Sequence, residues 1–94
     1  VSLRDNKPGI SKVVVTIFGE EYVVRGTEDP QYIEMLAAYV DRKMQAIAQR
    51  NPNLPAAKVA VLAALNLADE QSKLQEDYDA LVKTLEEARN NRMG

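Results

Sequence analysis

Ninety-four residues suffice for one small domain, and a chain this short buries a modest share of its surface, which favours association with another chain. Cysteine and histidine are both absent, so disulfides, thiol nucleophiles, the common transition-metal ligands and the usual near-neutral acid–base side chain are excluded. The formal charge of −2 comes from interleaved acids and bases, leaving no clustered basic face to displace counterions from nucleic acid.

Residues 1–11 are polar, broken by Pro8-Gly9, and read as a flexible N-terminal tail. The β-branched run Val13-Val14-Val15-Thr16-Ile17 predicts a strand, and Tyr22-Val23-Val24 a second one. Gly19-Glu20 between them predicts a two-residue hairpin turn, because glycine takes the positive φ that such turns require. Val13, Val15 and Ile17 then share one face, as do Tyr22 and Val24. An isolated hairpin is marginal in water, so this one must lie on something apolar.

Asp29-Pro30 opens a helix. Proline suits its first position and the aspartate its N-cap. The helix is expected from Pro30 to about Arg50, with Ile33, Leu36, Ala37, Val40, Met44 and Ile47 forming an apolar stripe of helical period. Tyr32 and Tyr39 are read as rim packing beside that stripe.

Asn51-Pro52-Asn53-Leu54-Pro55 breaks the chain, with Pro55 as an early residue of the next helix. From there to about Asn90 no proline or glycine intervenes. A helix of about 35 residues is roughly 50 Å long at about 1.5 Å per residue, so its far half is expected to project from the body. Residues 59–68 are apolar nearly all round, which predicts burial on most sides.

Beyond Asp69 the helix becomes charged around a narrow seam. Leu67, Leu74, Leu81 and Ala88 recur every seven residues, and Gln71, Tyr78 and Leu85 do so at the neighbouring position. This heptad pattern predicts a coiled coil. Asp69 with Lys73 and Asp79 with Lys83 add acid-before-base pairs at a spacing of four. The candidate oligomerisation residues are Val61, Leu65, Leu67, Leu74, Tyr78, Leu81 and Leu85. The fold class is α+β: a head over residues 12–68 made of the hairpin, the first helix and the start of the long helix, then a coiled-coil segment over 69–94.

A search for chemistry finds little. Ser2, Ser11 and Ser72 have no base in an evident constellation. Glu20-Glu21 and Glu86-Glu87 are neighbours whose side chains diverge. Gly19 and Gly26 do not make a phosphate loop, and Glu76, Asp77 and Asp79 lack the spacing of a calcium loop. No apolar run approaches the about 20 residues that span a bilayer, and no surface helix pairs an apolar stripe with a basic face. A non-enzymatic, cofactor-free, cytoplasmic interaction protein is expected.

Four runs carry a family resemblance. Ile17-Phe18-Gly19-Glu20-Glu21-Tyr22-Val23-Val24, Tyr39-Val40-Asp41-Arg42-Lys43-Met44-Gln45-Ala46-Ile47, and Asn51-Pro52-Asn53-Leu54 followed by residues 58–70 around Ala64-Leu65-Asn66 resemble, in order and spacing, the hairpin, first helix and second-helix entry of the ZapA family, closest to its short, Bacillus-like branch. The resemblance implies a small head and a long C-terminal helix, head-to-head dimers joined through antiparallel coiled coils into a tetramer, and a protein that cross-links FtsZ filaments at the mid-cell division ring. It implies neither catalysis nor a cofactor. In some members basic residues follow the Phe-Gly pair. Glu20 and Glu21 stand there in this chain, so the charges that meet FtsZ are expected at Arg42, Lys43 and Lys58. The alternative reading is a coiled-coil adaptor or scaffold with another protein partner.

Overall fold

The structure is a computed structural model that describes residues 2–3 and 10–93. In chain order it holds β1 (Ser2–Leu3), β2 (Ser11–Ile17), β3 (Glu20–Gly26), α1 (Pro30–Arg50) and α2 (Ala56–Met93). Two compact units divide the chain, Val1–Ala63 and Ala64–Gly94.

β2 and β3 pair antiparallel, with Val13 opposite Val24, Val15 opposite Tyr22 and Ile17 opposite Glu20. The hairpin turn is therefore Phe18-Gly19, one residue earlier than Gly19-Glu20. Both central residues have positive φ, 52° and 81°, the requirement of the type I′ turn whose twist matches paired strands. Moving the turn by one residue shifts each cross-strand partner by two, so the predicted faces survive. The difference is that Phe18 leaves the strand and becomes a turn residue.

The sheet order is β1-β3-β2, with β1 parallel to β3 through Ser2 opposite Arg25 and Leu3 opposite Gly26. A strand thus lies inside the stretch read as a tail. Ladder bonds are made by main-chain groups, so a two-residue strand leaves no hydropathy pattern to read. Residue 1 and residues 4–9 of that stretch lie outside the described residues.

α1 begins as its sequence requires. Pro30 occupies the first turn, and the Asp29 carboxylate accepts the Gln31 N–H at 2.8 Å. The helix ends where the Asn51 N–H and side-chain amide both return to the Ile47 carbonyl, each at 3.1 Å. Five residues, 51–55, reverse the chain between the helices. The Leu54 N–H donates to the Asn51 carbonyl, and the Pro55 carbonyl accepts from Lys58 and Val59. Pro55 thus stands just ahead of α2, as its cap, and is not its first residue.

The head core has two clusters. In one, Val13 and Val15 of the hairpin meet Ile33 and Ala37 of α1, with Ile17 and Val24 packed against them. In the other, Met44 meets Val59 and Ala63 of α2, joined by Ile17, Phe18, Val40, Ile47, Ala48 and Leu54. Ile17 belongs to both. The α1 stripe expected from its period is the face that is buried or half-buried. The expected burial of residues 59–68 on most sides is not found in the single chain. Val59, Ala63 and Leu67, spaced by four, select one face, while Val61, Leu62 and Leu65 are exposed.

Candidate interaction surfaces

In the Val1–Ala63 unit the geometry turns on one cross-element bond. The Phe18 N–H donates to Asp41 Oδ1 at 2.7 Å, tying the hairpin turn to α1. The Phe18 side chain packs against the second cluster. Beside it opens an apolar groove of about 540 Å³ lined by Ile17, Phe18, Tyr22, Val24, Met44 and the first turns of α2 at Ala56, Ala57 and Ala60. Glu20 alone among its described lining residues is charged. Such a lining receives apolar side chains.

Arg42 and Lys43 both approach the Tyr39 ring, at 5.7 and 5.4 Å from its centroid. Each cation–π contact of this exposed kind is worth about 0.5–1 kcal/mol. Arg42 is exposed and Lys43 half-buried. Lys58, the third predicted partner residue, is exposed on another element, the first turn of α2. The structure thus brings two of the three together, around a tyrosine that the sequence reading treated as rim packing. Val61 is exposed on α2, two residues from the fully buried Val59.

In the Ala64–Gly94 unit the seam residues Leu74, Tyr78, Leu81 and Leu85 are 58–68% exposed, as is Leu65 at 63%, whereas Leu67 is half-buried. Leu74, Tyr78 and Leu81 share a shallow groove with Gln71, Gln75 and Asp77. Burying one large apolar side chain is worth about 1.5–3 kcal/mol, so a row of four left in water forgoes several such terms. The polar face is self-supporting. Lys73 Nζ meets Asp69 Oδ2 at 3.0 Å, and Gln75 Nε2 donates to Asp79 Oδ1 at 3.0 Å. Such pairs stabilise an exposed helix by a few tenths of a kcal/mol each. At the second predicted acid–base pair it is thus Gln75, and not Lys83, that meets Asp79.

Among the described residues no cluster of acids is placed to hold a metal ion, and no helix is long and apolar enough to cross a membrane. Sequence reasoning missed Asp41 as the anchor of the turn, because its partner is 23 residues away. It also passed over Met35, which follows Tyr32 by three and precedes Tyr39 by four, the spacing of one helix face.

The model of the family described as cell division protein ZapA matches residues 13–93. The chain belongs to the ZapA family. A ZapA of Geobacillus thermodenitrificans is 47% identical over 75 residues, covering 80% of this chain and 82% of the relative. A ZapA of Bacillus mycoides is 35% identical over 83 residues, covering 88% and 93%. Among solved structures, a ZapA mutant dimer from Geobacillus stearothermophilus superposes with a TM-score of 0.67 at 36% identity, covering 89% of this chain and 98% of that one. The hairpin followed by two helices is thus a ZapA fold. The match extends through the seam, so the exposed leucines lie within the family's own domain.

Proposed function

We propose that this chain binds FtsZ filaments and cross-links them at the division ring, as an assembly of two or four copies held together by α2. The observation that carries the reading is the row Leu74, Tyr78, Leu81 and Leu85, each more than half exposed at heptad spacing in a chain of a cell-division family. A helix with such a row is stable in water when a second helix covers it. Val61 and Leu65 supply a further apolar patch for pairing between copies, and the ZapA of Geobacillus stearothermophilus is described as a dimer.

Each head then contacts a filament weakly through Arg42, Lys43 and Lys58. The self-association joins heads into one particle, so a second contact becomes intramolecular and gains effective concentration. No catalytic step or cofactor enters this mechanism. Light scattering of FtsZ polymer, with and without the protein, tests it beside a measurement of the protein's own mass in solution. Scattering should rise and the mass should exceed one chain. A monomer that leaves scattering unchanged refutes the reading.

A further inference from the structure

α1 has a second face that the core does not use. Tyr32, Met35 and Tyr39 are 45%, 56% and 39% exposed, at steps of three and four that place them on one side of the helix. Arg42, Lys43 and Arg50 continue the same side toward the C-terminus, since successive residues turn by about 100°. The acids of α1 lie elsewhere. Glu34 and Asp41 line a groove with Val14, Val15 and Thr16 of β2, and Asp41 also holds the Phe18 N–H. The helix is therefore segregated: an aromatic and thioether stripe that runs into cations on one flank, carboxylates against the sheet on the other.

We propose that this outer face of α1 is the protein's docking surface for a partner segment that is acidic and amphipathic. Tyrosine, methionine and arginine are the side chains enriched at the centres of protein interfaces, because they bury large area at modest entropic cost and keep a polar end. Charge selects the occupant. A second copy of this face would bring no carboxylate to meet Arg42, Lys43 and Arg50, whereas a segment with acids beside apolar residues satisfies both halves of the stripe. Tyr39 sits at the junction. The cations over its ring are oriented by it, so the aromatic and charged parts act together. Arg50 in the last turn also favours its own helix terminus.

The inference rests on the filament-binding reading and names the surface that performs it. Two double variants test it by co-sedimentation with FtsZ polymer: Met35→Glu with Tyr39→Glu, and Arg42→Glu with Lys43→Glu. Met35, Tyr39 and Arg42 are exposed and Lys43 is half-buried, so circular dichroism is run on each variant, with Arg42→Glu alone as the fully exposed counterpart of the second. Each variant is expected to weaken pelleting by about tenfold or more in apparent Kd, with the mass in solution unchanged, while Tyr39→Phe pellets normally. Unmodified protein that pellets together with equally pelleting double variants overturns the inference and leaves the filament reading standing. A fall in mass in either variant also overturns it, since the face would then join subunits. Failure of the unmodified protein to pellet sinks both.

Discussion

Phe18 adopts a backbone conformation that side chains with a Cβ avoid, at a cost of about 1–2 kcal/mol. Two contacts offset it: the bond from its N–H to Asp41 and the packing of its side chain on the Met44, Val59 and Ala63 cluster. Removing the carboxylate leaves a part-buried donor without its acceptor. Asp41→Ala should therefore lower stability by about 2 kcal/mol, a fall in Tm of about 10 °C for a domain of this size. Gly19 is a separate matter. A Cβ there would meet open space, but its φ of 81° disfavours one, so Gly19→Ala should cost about 1 kcal/mol, the lower end of that range because no contact is crowded. Thermal unfolding of the two variants checks the order. Equal losses would mean that the turn, and not its tie to α1, holds the hairpin. At this scale the sequence was only partly legible. Gly19 fits either central position of a two-residue turn, and the residue that decides between them is on another element.

At the scale of elements, punctuation was easy to read. Asp29-Pro30 starts α1 and Asn51 stops it because both ends satisfy free backbone groups locally. The apolar period of α1 predicts its buried face for the same local reason. What could not be read was how much of the apolar start of α2 one chain would bury, because period and composition do not say which neighbours exist. The answer is one face. Val59 is 0% exposed and Val61 60%. A charge at each therefore has different consequences. Val59→Asp puts an unpaired carboxylate into the core and should unfold the head, whereas Val61→Asp should leave the circular dichroism of the head intact and lower the mass in solution. Ultracentrifugation beside circular dichroism separates the two. A Val61→Asp protein with unaltered mass would show that Val61 takes no part in self-association.

For the whole molecule, the family could be read from the order and spacing of short runs, and an expectation of self-association from the heptad seam, while the number of copies and the register of their helices could not, since no partner is written into one chain. The seam nevertheless sets a test of how binding and bundling divide. If the seam joins copies, Leu74→Asp with Leu81→Asp replaces two apolar side chains, 68% and 58% exposed in one chain, by charges that a helix–helix interface cannot bury unpaired. The single chain loses almost nothing, because both positions face water there. The assembly loses several kcal/mol, enough to shift its dissociation constant by about a thousandfold, since about 1.4 kcal/mol is a factor of ten. The variant should thus remain folded and still pellet with FtsZ polymer through its head, yet no longer raise the scattering of that polymer, because heads on separate particles cannot bridge two filaments. Retained pelleting with lost scattering assigns bridging to the seam. Bundling at the unmodified level by this variant would mean that the contacts near Val61 already hold enough heads together, and that the exposed leucines of the second unit serve another partner.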